Sequence, residues 1–335
     1  MSNEKLSYFM NKSKSVKDAT FDKTIKIALL SSFTINGFYE TLRVKMSEHQ
    51  IDGNIHVGAY NQYNQEILKN NSELYNFKPN LTFLMIDTRT ILGEIFYSPY
   101  SISAEERKKN IEKKFLELKN LINIFLNKSN SKLIITNLHV PTYSPYGLYE
   151  TKTEYGFHFM VSDFNKKLET EFLKNDSVYI FNFNQFVSKY GNDNIFNIKQ
   201  FLFGDIKISL DYIPFLADEF LNYILASLGL TKRCIVLDLD NTLWGGVIGE
   251  DGFDGIQLGS NPQGNAYVEF QKYLLALNQR GVLLAINSKN NLEDALKVID
   301  DHPNMILRRD NFSCLKINWN DKVSNMKEIS QELNF

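Results

Sequence analysis

The chain has 335 residues, 43% of them hydrophobic and 23% charged, with a formal net charge of −2. That is ordinary globular composition, long enough for two domains at roughly 100 to 200 residues each, and it carries no basic excess that would point to nucleic acid. Two cysteines, Cys234 and Cys314, cannot make a disulfide framework, no charged-then-apolar leader opens the chain, and no run of about 18 apolar residues exists to span a membrane, so a cytoplasmic protein is expected.

Residues 1–24 mix Lys, Ser, Asn and Asp without clear periodicity and read as a loose lead-in, in which Leu6, Phe9 and Met10 share one helical turn. Strands are predicted over 25–30, 55–59 and 81–86, with a helix over 37–46 after the first. The strongest helical signal of the first half starts at Ala104. Ser103 is the expected N-cap, Glu105 and Glu106 suit the positive end of the helix dipole, and Ile111, Phe115, Leu118, Ile122 and Phe125 recur at spacings of 4, 3, 4 and 3. A strand over 132–136, a loop over 137–147 with two prolines, a helix over 161–173, a strand over 178–183 and a helix over 213–228 follow. Strands alternating with helices imply a parallel α/β domain over 25–230.

The polar break at 229–233 marks the boundary, and the second domain, 231–335, opens on the stretch that organises the chain. Ile235, Val236 and Leu237 read as a strand buried on both faces, and its end carries Asp238 and Asp240. Side chains at i and i+2 share a side of an extended segment with Cα atoms about 7 Å apart, so two acids can face one ligand at the carboxyl end of a sheet. Taken alone, the pair is better read as a turn or a helix cap. A turn-rich flap over 253–262 comes next. A helix over 263–280 has an expected stripe of Ala266, Phe270, Tyr273, Leu274 and Leu277 and stops at Gly281. A strand over 282–287 ends at Ser288-Lys289-Asn290, a helix covers 292–299, a short strand 305–307, and a helix runs from Val323 to the end.

Asp238-Leu-Asp-Asn-Thr242 matches the DxDxT signature of the haloacid dehalogenase (HAD) superfamily, and the longer run DLDNTLWGGVIGEDG resembles the FkbH-like family within it, subfamily IIIC. The resemblance implies that Asp238 is a nucleophile forming an aspartyl-phosphate, that Asp240 is the general acid/base and that Thr242 fixes their geometry. An ionised carboxylate can attack phosphorus, and a neighbouring acid can protonate the departing oxygen. It further implies Mg²⁺ on the Asp238 side chain and the Asp240 carbonyl, a phosphate-binding Ser288, and a basic Lys322 in INWNDK. Lys289 and Asn290, with Trp244, Gly245 and Gly246, stand beside these as substrate-binding candidates. The family's fourth motif, a strand ending in paired acids that complete the metal site, is expected soon after the Lys322 helix, and the sequence stops at Phe335 before it. The 45 residues between Thr242 and Ser288 leave no room for a cap domain, which predicts an open site. FkbH-like proteins are associated with making a glyceryl thioester on acyl carrier protein from 1,3-bisphosphoglycerate. Cys234, about 13 Å back along the strand, is expected to be structural, and no role is assigned to Cys314.

In that family the preceding domain resembles SGNH esterases, and IALLSSFTI, YNQYNQEIL and NSELYNFKPN resemble its opening. Where the SGNH pattern has Gly-Asp-Ser, this chain has Ser31-Ser32-Phe33, and it contains no Asp-x-x-His. A docking or substrate-presenting role is therefore expected of it, with His139 a candidate for lining a cleft. The expected fold is α/β, with two three-layer domains on parallel sheets: SGNH/flavodoxin-like first, then an incomplete HAD-like Rossmannoid domain. The expected partners are acyl carrier protein and a phosphorylated small molecule, without nucleic acid or membrane. The alternative is a non-catalytic binding or scaffold protein, or an inactive fragment, on the same fold.

Overall fold

The computed structural model describes residues 4–16 and 21–334, which form two compact units, Met1–Gly229 and Leu230–Phe335. Residues 1–3 and 17–20 of the expected lead-in, and Phe335, lie outside the described residues. Both units are α/β with parallel sheets.

The first unit holds a five-stranded sheet of β1 (Lys23–Ser31), β2 (Ile51–Val57), β3 (Leu81–Met85), β4 (Lys132–Thr136) and β5 (Val178–Phe181). Its order is β2-β1-β3-β4-β5, all parallel, which is the flavodoxin-like arrangement with a switch point between β1 and β3. The period of two sorts the side chains onto two faces. Ile25, Ile27, Leu29 and Phe83 pack with the Phe38–Glu48 and Ile213–Ser227 helices, where Phe83 stacks on Phe220 with ring centres 4.2 Å apart. Ala28, Leu30, Leu84, Leu133 and Ile135 pack with the Ala104–Lys128 and Phe157–Phe172 helices. All five apolar positions expected on the Ala104–Lys128 helix are buried, and Ser103 and Glu106 close a capping box at its start.

Three expectations shift here. The lead-in contains a ten-residue helix, Leu6–Ser15, whose Phe9 is buried against Val44, so it is a packed element of the unit. The second strand runs over Ile51–Val57 instead of 55–59: it is an edge strand, and its register on β1 (Lys23↔Ile51 to Leu29↔Val57) ends where Gly58 turns away. The fifth strand stops at Phe181 because Asn182 caps a helix, Phe183–Tyr190, accepting from the Gln185 N–H at 3.0 Å.

The second unit holds a three-stranded parallel sheet, order β6-β7-β8, of β6 (Cys234–Leu237), β7 (Leu283–Ser288) and β8 (Phe312–Ile317). β6 is paired on one side only, so Cys234, Ile235 and Val236 are half-buried rather than buried on both faces. The third strand is Phe312–Ile317. The expected strand at 305–307 is irregular chain, whose Ile306 and Leu307 N–H groups donate to Gln271 Oε1 at 2.9 and 3.1 Å. The helix Pro262–Gln279 buries Leu274 of the predicted stripe but otherwise turns a shifted face inward. Tyr273 is 72% exposed, and Gly264, Gln271 and Leu274 are buried. Part of the expected flap is a helix, Ile248–Gly255, broken at Gly252 where φ is +72°. No helix among the described residues is long and apolar enough to cross a membrane.

Candidate active site at the end of β6

The sheet delivers Asp238 one residue past β6, and Leu239, fully buried, anchors the turn that follows. Thr242 and Leu243 N–H groups donate to the Leu239 carbonyl at 3.0 and 2.8 Å. Asn241 adopts a left-handed φ of +55°, which Asn tolerates better than most residues, and its Oδ1 accepts from the Gly246 N–H at 3.0 Å. Gly245 pairs its backbone with Gln257, and a Cβ there would lie 2.8 Å from the Tyr267 ring. Gly246, at φ +92°, turns the chain as only glycine does cheaply. The two glycines thus shape the loop. Thr242 contributes its backbone to the same turn.

Trp244 does not line the site as a substrate contact. It is wholly buried, and its indole N–H donates to Asp240 Oδ1 at 2.9 Å. The Ile248 N–H donates to the same oxygen at 3.2 Å and Asn290 Nδ2 to Asp240 Oδ2 at 3.1 Å, so three donors fix the second carboxylate. Lys289, between Ser288 and Asn290, is exposed.

Asp238 is held from two other directions. Ser288 Oγ at the end of β7 donates to Oδ1 at 2.6 Å, as does the Leu239 N–H at 2.9 Å, and Lys322 Nζ pairs with Oδ2. Burial alone would raise the Asp238 pKa; Lys322, Ser288 and the Leu239 N–H together outweigh it and hold the group below the usual carboxylate range. The side chains of Asp238 and Lys322 are 37% and 45% exposed, so the pair opens to solvent. Lys322 begins the helix Lys322–Glu332, capped by Asp321, and its carbonyl accepts from Asn287 Nδ2 at 2.9 Å. Asn325, wholly buried, donates to Asn287 Oδ1 and Asn318 Oδ1 at 3.2 and 3.0 Å, while the Asn318 N–H donates to the Ser288 carbonyl at 3.1 Å. This asparagine set joins the Ser288 and Lys322 segments. The sequence reading missed it, although Asn287 precedes Ser288 and Asn318 lies in INWNDK.

The Asp238 carboxylate and the Asp240 backbone carbonyl are the hard oxygen donors that Mg²⁺ takes, and Mg²⁺ completes its shell with water and substrate phosphate, so this donor set fits the ion. Neither cysteine suits nucleophilic work. Burial raises the pKa of Cys234, and burial and Glu332 push Cys314 up to about 11.

In the first unit, a cavity of about 510 Å³ lies at the carboxyl ends of the strands, lined by Asp87, His139, Phe196, Phe201 and Lys207 among others. Asp87 pairs with Lys207 at 2.5 Å and both side chains are 7% exposed. Burial, then Lys207, drives His139 down to about 3, a neutral imidazole packed 4.5 Å from the Phe196 ring. Ser31 Oγ accepts from the Phe33 N–H at 3.1 Å and Ser32 Oγ from the Asp87 N–H at 2.8 Å, both buried. These hydroxyls brace the loop after β1.

No curated protein sequence matches the chain. Among solved structures, it is similar to the N-terminal part of protein BF1531 from Bacteroides fragilis, a structure containing a phosphatase domain and complexed with Mg. The two share 26% identity and a TM-score of 0.85, over 98% of this chain and 85% of that one. An acetylxylan esterase from Geobacillus stearothermophilus aligns over 64% of this chain and 98% of its own, at 10% identity and a TM-score of 0.40. The model of the FkbH N-terminal domain matches residues 26–225, more than half of the sequence, and the chain belongs to that family.

Proposed function

We propose that this chain is a Mg²⁺-dependent phosphatase or phosphotransferase of the HAD type. In this reading it processes a phosphorylated three-carbon acid such as 1,3-bisphosphoglycerate and loads the acyl group onto acyl carrier protein. The observation that carries the reading is Asp238 itself: an ionised carboxylate held by Ser288 on one oxygen and Lys322 on the other, with a second, separately anchored carboxylate two residues on. Similarity to a structure that contains a phosphatase domain and Mg supports it.

In this mechanism Asp238 attacks phosphorus, the bond to the leaving oxygen breaks, and Asp240 gives that oxygen a proton. Asp240 then takes a proton from the water that attacks the aspartyl-phosphate, and the carboxylate and inorganic phosphate separate. Lys322 and Ser288, already on Asp238, reach the phosphoryl oxygens and offset their charge. Mg²⁺, held by Asp238 and the Asp240 carbonyl, would supply further neutralisation of those oxygens. The acyl step needs no protein nucleophile. The carrier thiol attacks the carbonyl of the mixed anhydride, the C–S bond forms as the C–O bond to phosphate breaks, and inorganic phosphate leaves with the thiol's proton. The first unit would present the carrier or its cargo. A cytoplasmic setting suits two unpaired thiols.

The test is phosphate release from 3-phosphoglycerate and from an aryl phosphate by the full chain with MgCl₂, with Asp238→Asn alongside. Release that depends on Mg²⁺ and disappears in Asp238→Asn is the expected result. Absence of release from every phosphorylated acid tried, with the chain folded, leaves a binding protein and overturns the reading.

A further inference from the structure

A second constellation lies in the first unit, away from any residue used above. His56 stands near the end of β2, Glu66 in the short helix Tyr63–Leu68, and Glu73 at the start of the helix Glu73–Phe77. One ligand atom from each lies within 4.8 Å of the others. His56 Nε2 is buried without a hydrogen-bond partner, 3.9 Å from Glu66 Oε2, too far for a hydrogen bond. The His56 and Glu66 side chains are only 13% and 14% exposed. Neither glutamate has a Lys or Arg within ion-pair distance among the described residues, and Glu66 Oε2 accepts only the Leu74 N–H, at 3.1 Å. A nearly buried carboxylate and an unpartnered imidazole nitrogen are both costly to leave so.

We propose that His56, Glu66 and Glu73 bind a zinc ion that clips β2 to the two short helices following it. One imidazole and two carboxylates are a donor set of the mixed kind that Zn²⁺ accepts, with water as the fourth ligand, whereas Mg²⁺ disfavours imidazole. The edges of a tetrahedron at zinc–nitrogen and zinc–oxygen distances of ~2.0–2.1 Å are roughly 3.3 Å, so the three atoms, within 4.8 Å of one another, close by at most about 1.5 Å. Glu73, exposed on its helix, has the freedom to do this. Helices of six and five residues are too short to hold themselves, which gives the clip a purpose.

Equilibrium dialysis of the full chain against ZnCl₂ in excess MgCl₂ tests this, with Glu73→Gln and His56→Ala beside the parent and a thermal melt of each. One zinc per chain is expected, weakened about tenfold or more in Glu73→Gln and lost in His56→Ala, with a zinc-dependent rise in melting temperature only in the parent. If His56→Ala does not fold, Glu73→Gln decides, because that side chain is exposed. No bound zinc, or zinc bound equally by the parent and Glu73→Gln, as attachment at the cysteines would give, overturns the proposal.

Discussion

Asn290 Nδ2 donates to Asp240 Oδ2 at 3.1 Å and to Ser288 Oγ at 3.2 Å, so one buried amide ties the acid at the end of β6 to the hydroxyl at the end of β7. Ser288 in turn holds Asp238. Asn290→Ala should therefore lower kcat for phosphate release by about 10- to 100-fold with little change in KM, the range seen when a residue that orients the reacting groups is removed. Asn290→Asp should be worse than Asn290→Ala, because it sets a third carboxylate against Asp240. Steady-state kinetics of the two variants check the order, and equal activity in both would sink the positioning role.

Lys322 is the cation on Asp238, and its removal exposes what it does to that carboxylate. Burial pushes Asp238 up, and Lys322 is the first of the groups that pull it down. In Lys322→Met the Asp238 pKa should rise to the ordinary carboxylate value or beyond, read by carbon NMR of the labelled side chain. The linkage has a definite sign. A carboxylate with a depressed folded pKa adds stability above its unfolded pKa, near 3.9, and loses it as pH falls through the folded value. The stability gap between the parent and Lys322→Met should thus be widest at neutral pH and close below about pH 4. A gap independent of pH would show that Lys322 acts through packing alone.

Asp238, Ser288 and Lys322 are legible as positions because each follows a recognisable feature: an apolar run ending in acids, a second such run, and the polar segment before the last helix. What the sequence conceals is which polar groups turn inward. Helical periodicity weights apolar residues, so it nominated Tyr273 and overlooked Gln271, whose amide is the better fit for a face that meets backbone groups. Trp244, followed by two glycines, reads from sequence as a substrate-binding candidate, yet its ring is wholly buried and only its N–H serves the site. β8 hid for a similar reason: Ser313 and Lys316 interrupt its apolar run, while the shorter, greasier 305–307 segment is held by side-chain hydrogen bonds instead of a ladder. In the first unit the parallel α/β order was legible throughout, and the edge strand β2, with one paired side, was the least well placed.

The buried pair of Lys207 and Asp87 should be the most sensitive electrostatic element of the first unit. Burial alone would raise Asp87, and Lys207 with the Arg89 N–H outweighs it, so the group sits below its usual value. Lys207→Met leaves that carboxylate with only the Arg89 side chain, 3.8 Å away, as a cation partner and should cost about 3 kcal/mol in urea unfolding, whereas the double variant with Asp87→Asn should recover much of the loss. Additive losses would mean that the two groups do not act as a pair.

Gln271 offers the clearest test of the second unit's packing. Its amide nitrogen donates to the Leu243 carbonyl at 2.7 Å, in the turn that carries Asp240, and its oxygen accepts two N–H groups from the 306–307 segment. Gln271→Leu keeps the volume and strands three buried backbone groups, each worth about 1–3 kcal/mol when unpaired, so a destabilisation of about 3 kcal/mol or more is expected. Gln271→Glu retains the acceptor and loses the donor, so it should spare the 306–307 segment and free the Leu243 carbonyl. Hydrogen exchange separates the two. The Ile306 and Leu307 amides should lose protection in Gln271→Leu and keep it in Gln271→Glu. Protection unchanged in both variants would show that the segment is held by the burial of Met305 and Leu307 instead.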